Sequence, residues 1–465
     1  MNSYSKKTIS GYLVVLICLL LTVPLQSSGE EMSFPEALKR LNERSDALKA
    51  ARQETEQRKY EKAAARGLYF PRVQFGMKYT QIDDPIVIDL NDIRSVILKL
   101  HPAVPSSGIP SFELAVQDDK FLKGNINAVW PVFTGGQIIA ANKAAKSLLA
   151  DAKEKQRSTE SVLAGDLVKR YFGLKCAGKV RAVREEVLEG MEQHLHDARS
   201  LEENGMISKG ERLHAEVARA EADREYKRSV RDEELAQTAL NIMLSETEPV
   251  EPTTSLFLVK KYEPLEYFLT VARERNPILK QIGAQKEAAH QSYMKEIGAI
   301  LPQLSLFGQY ELHRHDLTVM EPEWAVGIGV TLPLFEGGSR VNKIGSAKSV
   351  ESRVGYLEAQ AEKDIEVLVE KRYQELGKAL EQFEMLETSL ASAQEHLRIR
   401  KRSFEEGYAM STDVVDAQLA LSKVQIGRLA SAYDFDVALA ELLEACGISE
   451  RFEDFRAHAD MEVFF

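Results

Sequence analysis

The histidines are the residues with the clearest potential for metal chemistry. His194 and His196 lie two residues apart in a helical stretch, so their side chains do not share a helix face. His313 and His315 could share one face of a strand, but the sequence offers them no apparent third ligand. We find no zinc signature, no catalytic-triad context and no phosphate-binding loop in the sequence. We therefore predict no metal site, no cofactor and no enzymatic activity.

Two short motifs combine proline, phenylalanine and a glycine pair. Proline cannot donate to a sheet ladder and so ends or thins strand pairing, whereas glycine tolerates backbone angles that other residues avoid. A strand can therefore bend sharply into a helix at each motif, and the aromatic residues suit the girdle at a bilayer edge. Phosphate binding is the alternative, but it needs a longer glycine-rich loop and a basic partner. These strand-to-helix exits contain Pro131, Phe133, Gly135, Gly136, Pro333, Phe335, Gly337 and Gly338.

The two motifs belong to an internal repeat. Gly135 and Gly337 are 202 residues apart, and the same offset relates Gly205 to Gly407. This offset holds without a gap over about 85 residues, which requires two structurally equivalent long elements. Upstream of the glycine pairs the offset is 231 residues, so the first half carries 231 − 202 = 29 extra residues before its glycine pair.

Each repeat contains two candidate strands in which apolar and polar residues alternate. Alternation gives a strand one apolar and one polar face, which suits a membrane barrel with lipid outside and a polar lumen. A half-buried soluble sheet would fit any single strand equally well. The apolar positions are Val73, Phe75, Met77 and Tyr79, then Leu304, Leu306, Tyr310 and Leu312, and then Trp324, Val326, Ile328, Val330 and Leu332, with a weaker segment over 124–131.

Four strands are too few to enclose a lumen in a membrane. Outer-membrane barrels begin at about eight strands, and unpaired strand edges are not tolerated in lipid. If these strands form a membrane barrel, several chains must share it.

A very long helical stretch follows each glycine pair. Residues 137–203 and 339–406 contain no proline, and each would measure roughly 100 Å at 1.5 Å per residue. Both end at a glycine turn, Gly205 or Gly407, after which a helix of about 35 residues returns. A helix of similar length precedes each first strand, so two stacked short helices would match one long helix. The coiled-coil seam of the second stretch is Ala379, Phe383, Leu386, Leu390, Ala393, Leu397 and Phe404.

Residues 1–29 are predicted to be a secretory signal peptide. Lys6 and Lys7 give a basic start, and residues 11–25 form an uncharged apolar run too short for a comfortable membrane span. Small residues precede a predicted cut before Glu30, and an uncleaved anchor is the alternative. The net charge of −11 is a poor match for nucleic acid.

The remaining boundaries follow from the repeat. We predict a first repeat over 30–247 that includes an extracellular loop between its strands, a linker over 248–263, a second repeat over 264–447 and a C-terminal tail over 448–465. The fold class is mainly α with a membrane β-barrel portion. Beyond the signal only Cys176 and Cys446 remain, and whether they pair is open, although both lie in helical contexts.

The doubled proline–phenylalanine–glycine exits, the two glycine turns and the segment 407–418 resemble the TolC-like outer-membrane efflux protein family. The resemblance covers about residues 34–447. It implies a homotrimer with a twelve-stranded barrel in outer-membrane lipid and a twelve-helix α-barrel in the periplasm. It also implies docking to an inner-membrane pump through a periplasmic adaptor protein, and hence passive export with no chemistry of its own.

The resemblance further implies an acidic entrance at the periplasmic end. Asp413 and Asp416 match the family's aspartate pair, and Glu211 takes the acidic position in the first repeat. Phe404 falls where an aromatic residue helps to hold the closed state, whereas Ala409 replaces the arginine with which some members lock it. Helix capping is the alternative role for these acids, because Asp and Glu are favoured in the first turn of a helix.

Two other classes of protein were weighed. A periplasmic coiled-coil adaptor or scaffold would explain the helices and the signal, but not four amphipathic strands with proline-glycine exits. A secreted enzyme lacks any constellation of residues to carry catalysis. The exported cargo and the class of pump do not follow from the sequence.

Overall fold

The computed structural model describes residues 30–318 and 320–463, which fold mainly as helices. The predicted signal peptide lies outside the described residues. The helices are α1 (Phe34–Arg44), α2 (Asp46–Gly67), α3 (Asn91–Leu100), α4 (Gln137–Glu203), α5 (Lys209–Leu244), α6 (Leu265–Arg275), α7 (Pro277–Gly298), α8 (Ser339–Glu405), α9 (Ser411–Cys446) and α10 (Phe452–Ala457). None of these helices combines the length and the apolar character that a bilayer crossing requires.

The four predicted long and returning helices are present. Helices α4 and α8 each contain 67 residues, and α5 and α9 each contain 36. The seam predicted for α8 is buried or half-buried at every position, with Phe383 and Phe404 each 2% exposed. The coiled-coil interpretation of this helix is therefore confirmed.

We expected a single helix before the first strand of each repeat. This prediction is wrong, because each of these segments consists of two helices. The break in the first repeat falls at Ser45 and the break in the second at Asn276. Asn276 has extended backbone angles, and its side-chain oxygen accepts hydrogen bonds from the amides of Ile278 and Leu279 at 2.8 and 3.1 Å. Pro277 then begins α7, where a missing N–H costs no helical hydrogen bond.

Four strands form one antiparallel sheet: β2 (Arg72–Gln81), β5 (Lys120–Phe133), β8 (Gln303–Glu311) and β9 (Trp324–Thr331). Their order in the sheet is the order in the sequence, with β2 at one edge and β9 at the other. The strands coincide with the four segments that the alternation predicts.

The remaining strands are short. They are β1 (Glu30–Met32), β3 (Ile86–Asp89), β4 (Glu113–Gln117), β6 (Val250–Pro252), β7 (Phe257–Leu258) and β10 (Met461–Glu462). The insertion between β2 and β5 is more ordered than the loop we expected, since β3 pairs with β4 and α3 lies between them. The predicted linker and tail contain strands, since β6 pairs with β1 and β7 pairs with β10.

The chain divides into two compact units. The first contains residues 30–52, 154–279 and 360–463, and the second contains residues 53–153 and 280–359. The sheet belongs to the second unit. The core of the first unit surrounds the fully buried Tyr171, whose hydroxyl donates to the carbonyl of Met32 at 2.7 Å and accepts from the amide of Thr254 at 3.0 Å.

Both cysteines of the first unit are free thiols. Burial raises the pKa of Cys446 to about 12, and it raises the pKa of Cys176 to about 12 with help from nearby carboxylates. A thiol with so high a pKa is inert at neutral pH because the thiolate is the reactive form. The two residues therefore act as small apolar side chains.

Candidate functional site

Two glycine turns join the long helices to the returning ones in the first unit. Gly205 and Gly407 have φ of +72° and +78°, the left-handed region that favours glycine. The amides of Met206 and Tyr408, the residues that follow, reach back to carbonyls five residues earlier at 2.9 and 2.8 Å. Both turns are Schellman motifs, in which the amides that follow each helix pair with two of its last carbonyls.

A small apolar cluster holds the two turns together. Phe404 of α8 belongs to it together with buried residues from α4, α5 and α9. We call this group the tip cluster; its buried members are Leu195, Ala198, Ala215, Phe404 and Val414. Because it joins all four long and returning helices, loss of its packing would loosen the two helix hairpins at their turns.

His194 adds a polar link to the tip cluster. Its ring lies 4.6 Å from the ring of Phe404, measured between centroids, and its Nε2 is 2.8 Å from the hydroxyl oxygen of Ser411. His194 and Ser411 are both buried. The first residue of α9 is thereby tied to α4 by a histidine that we had considered only as a metal ligand.

The acidic residues are not equivalent in the structure. Glu211 accepts a hydrogen bond from the amide of Ser411 at 2.7 Å, so it caps the helix of the opposite hairpin. Asp413 accepts from the amide of Met410 at 3.0 Å and caps its own helix. Asp416 is exposed on α9. Capping is thus an observed role of Glu211 and Asp413. The exposure of Asp416 fits the other predicted role, that of a surface charge.

We expect the tip to loosen as the pH falls. Burial lowers the pKa of His194 below its ordinary value; Asp197 and Glu211 oppose this shift, whereas His214 and Lys401 add to it. A tip with its packing lost therefore binds the proton more readily than the packed tip, and the stability of the packed tip decreases below about pH 6.5.

Amide hydrogen exchange at the tip, followed between pH 7.5 and 5.5, would measure this effect. The exchange rate of His194→Gln divided by that of the wild type should therefore be lower at pH 5.5 than at pH 7.5. At pH 5.5 the two rates should be nearly the same. The matched control is His196→Gln, because His196 lies on the same helix but is exposed. If His196→Gln removes the pH response and His194→Gln does not, the assignment to His194 is wrong.

In the second unit the sheet separates most apolar side chains from most polar ones; the exceptions are Gln81 and Lys120 at one end of the apolar face and Phe121, Val129 and Phe307 on the polar face. The register places Phe75 opposite Ile126, Ile126 opposite Tyr310, and Leu306 opposite Ile328. One face carries Val73, Phe75, Met77, Tyr79, Leu122, Gly124, Ile126, Ala128, Trp130, Leu304, Leu306, Gly308, Tyr310, Trp324, Val326, Ile328 and Val330. The other face includes Gln74, Lys78, Thr80, Lys123, Asn125, Asn127, Gln303, Ser305, Gln309, Glu311 and Thr331.

The strand-to-helix exits differ between the two halves. Strand β5 continues through Pro131 to Phe133 with a bulge between them, whereas β9 ends at Thr331, before Pro333. Pro131 is tolerated because only β8 pairs with the strand at that point, β2 having ended at its partner Val129. All four exit glycines have positive φ: Gly135 +62°, Gly136 +87°, Gly337 +58° and Gly338 +79°.

The histidines near the β8–β9 turn have one acidic neighbour. His313 and His315 lie 3.6 and 3.4 Å from carboxylate oxygens of Asp316. Within residues 30–318 and 320–463 no group of three or more potential ligands could hold a metal ion.

Comparison with known proteins identifies relatives. Residues 269–448 match the model of a family described as outer membrane efflux protein. Outer membrane protein TolC of Vibrio cholerae serotype O1 is 28% identical over 157 residues, which are 34% of this chain and 36% of that protein. Outer membrane efflux protein BepC of Brucella suis biovar 1 is 24% identical over 327 residues, 68% of this chain and 70% of that protein. The predicted resemblance to the TolC-like outer-membrane efflux family is confirmed.

Solved structures of outer-membrane channels share the fold. The Campylobacter jejuni CmeC outer membrane channel superimposes with a TM-score of 0.72 at 15% identity, over 90% of this chain and 86% of that one. The open state of the Neisseria gonorrhoeae MtrE outer membrane channel superimposes with a TM-score of 0.69 at 15% identity, over 90% of this chain and 89% of that one.

The aligned region of the V. cholerae TolC spans about a third of that protein's length, 36%. The relatives also confirm the predicted outer-membrane location with a large periplasmic portion.

Proposed function

We propose that the chain is one subunit of a homotrimeric outer-membrane channel for passive export, from the periplasm or from a docked inner-membrane pump. The observation that carries the proposal is the sheet of the second unit, which has one mainly apolar face, one mainly polar face and two open edges.

The apolar face suits contact with lipid. Its side chains are large and exposed in the single chain, for example Phe75 at 62%, Trp324 at 62% and Ile328 at 67%. A soluble protein rarely exposes an apolar surface of this extent. Hydrocarbon on one side and water on the other would satisfy both faces.

Closure requires further copies of the chain. Strand edges in lipid leave unpaired amides and carbonyls, each at a cost of several kcal/mol. Three copies of a four-stranded sheet give 3 × 4 = 12 strands, which is within the range of outer-membrane barrels. The family resemblance favours three copies over two or four.

The tip of the first unit suits a periplasmic entrance and a docking site. Three copies of Asp416 would form an acidic ring, with Asp413 and Glu211 capping the adjacent helices. Apolar side chains are exposed around both turns: Met206 at 59%, Tyr408 at 86% and Met410 at 64%. Exposed apolar residues beside a rigid turn fit a partner protein, here the periplasmic adaptor.

Detergent extraction and planar bilayers test the proposal together. We expect a heat-resistant trimer that detergent alone extracts, with one shared pore per trimer. A monodisperse, water-soluble monomer without conductance would contradict the channel and favour a periplasmic scaffold. If the trimer and the pore are found, the neighbouring genes are the next source of information on the pump and the cargo.

A further inference from the structure

A cavity lies in the second unit, where the strands of the sheet meet their helices. It encloses about 390 Å³, which is at the lower end of the range for small-molecule sites, about 300–1,000 Å³. Two cationic side chains line it, Arg72 at the start of β2 and Lys295 near the end of α7. The other side chains in its wall carry no charge.

The strand residues of this cavity belong to the polar face of the sheet. Arg72 pairs with Val129, and Pro131 pairs with Ser305. Because successive side chains of a strand point to opposite faces, Arg72 lies on the face opposite to Val73. The cavity is therefore on the side that the proposed channel turns to its aqueous lumen, and not on the side turned to lipid.

The two cations of the cavity are not neutralised. Among the residues that the structure describes, the side chains of Arg72 and Lys295 form no ion pair and no hydrogen bond, and no carboxylate lines the cavity with them. Another cavity of the chain differs in this respect, because it is lined by Arg181 together with its partner Glu233, at 2.6 Å. Two cations without a carboxylate favour an anion from solution.

The second half of the chain lacks this arrangement. The offset of 202 residues carries Thr134 and Ile138, which line the cavity, onto Glu336 and Arg340. Arg340 donates to Glu336 at 2.9 Å, so an ion pair stands where the first half has a hydroxyl and an apolar side chain. A strand-to-helix exit therefore forms without unneutralised cations beside it, and their presence in the first half is not a requirement of the fold.

We propose that this cavity binds a small amphipathic anion, that is, a sulfonate, carboxylate or phosphate group on an apolar body. This inference rests on the channel proposed above and adds a chemical class of cargo to it. Arg72 and Lys295 hold the anionic group, since guanidinium and ammonium groups make charge-assisted hydrogen bonds to such oxygens. The apolar body packs on Leu68, Val129 and Ile138, which belong to the same wall.

The uncharged polar side chains make the cavity tolerant of different anionic groups. Thr134, Gln137 and Gln303 line it and offer hydroxyl and amide donors. The site therefore selects for negative charge and apolar area more than for one exact shape. We expect modest affinity, because a conducting pore has to bind its cargo weakly enough to release it.

Binding of naphthalene-2-sulfonate tests the proposal. Equilibrium dialysis of the full-length protein in nanodiscs of zwitterionic lipid, with empty nanodiscs as the blank, should show one saturable site per chain. The neutral naphthalene-2-sulfonamide lacks the charge and inorganic sulfate lacks the apolar body, so each should bind about tenfold more weakly or less. Equal binding of all three, or binding no greater than that of empty nanodiscs, would overturn the proposal.

Substitutions separate the cavity from the general charge of the lumen. Arg72→Gln and Lys295→Gln should each weaken sulfonate binding about tenfold. Thr134→Glu should weaken it further, because a carboxylate would occupy the cations, and the fold tolerates Glu336 at the equivalent position. Lys78→Gln is the matched control, since Lys78 is a cation on the same face of β2 that does not line the cavity. Equal losses in Lys78→Gln and Arg72→Gln would overturn the site.

Pore recording distinguishes failure of the site from failure of the channel. In planar bilayers naphthalene-2-sulfonate should reduce the current, and Arg72→Gln should raise the half-blocking concentration about tenfold. A protein that conducts but shows no saturable binding would overturn the site and leave the proposed channel intact. Saturable binding that Arg72→Gln weakens, in a protein that forms no pore, would support the site and contradict the proposed function.

Discussion

Replacing Phe404 by alanine should release the tip and give a channel that conducts more readily. Phe404 is 2% exposed and is the largest buried side chain of the small tip cluster. Truncation of a buried phenylalanine costs about 3–5 kcal/mol. A loss of about 3 kcal/mol from a locally opening segment corresponds to roughly 150-fold faster amide exchange. Hydrogen exchange of residues 190–215 and 400–420, together with single-channel recording, would measure both effects.

The control for Phe404→Ala lies on the same helix. Phe383 is also 2% exposed, but it packs in the large core and against the guanidinium of Arg428. Phe383→Ala should lower the overall stability and leave exchange at the tip close to wild type. If both variants change tip exchange equally, or if Phe404→Ala leaves conductance and exchange unchanged, the tip cluster does not hold the closed state.

Neutralising Asp416 should weaken block of the pore by trivalent cations about tenfold and lower its cation selectivity. In the proposed homotrimer three exposed carboxylates would form a narrow ring that attracts multivalent cations, and Asp416→Asn would remove all three. The same change should leave trimer formation intact, since it touches neither the strands nor the helix seams. Planar-bilayer recordings with added trivalent cation measure the block.

Asp413→Asn provides the comparison because Asp413 is a helix cap in the structure. Asparagine caps helices about as well as aspartate, so this variant should fold normally and lose only the contribution of its charge to block. The acidic ring would be contradicted by wild-type block and selectivity in the double variant Asp413→Asn with Asp416→Asn. Capping would then be the sole role of Asp413.

The sequence predicted those features that depend on periodicity. Alternation located all four strands of the sheet, and the steps of four and three located the seam of α8. The offset between Gly205 and Gly407 predicted two turns of the same kind, and both are Schellman motifs. These patterns are readable because each recurs along one element and needs no knowledge of its neighbours.

The features that were missed depend on contacts between distant segments. Asn276 and Pro277 could have predicted the break between α6 and α7, since the pair combines a helix cap with a residue suited to the first helical position. Pairing of β1 with β6 joins residues more than 200 positions apart, namely Glu30 and Val250, through strands too short to show a period. No local sequence pattern predicts such a contact.

The spacing of His194 from its apolar neighbours in the sequence could have predicted that it packs between helices. It stands at a seam position between Met191 and Ala198, with spacings of three and four, and all three residues are buried. A polar residue at a seam position of a coiled coil sets its pairing. Its actual partners, Ser411 and Phe404, belong to the other half of the chain and could be found only in the structure.

The equal lengths of the paired helices restrict how the gene can change. Helices α4 and α8 contain 67 residues each, and α5 and α9 contain 36 each. Deleting one residue from one of them would move its turn by about 1.5 Å and rotate its seam by about 100° relative to the helix beside it. A viable length change therefore has to be made in both halves together and in whole turns. Single insertions can accumulate only outside these helices, as the 29 extra residues of the first half have done.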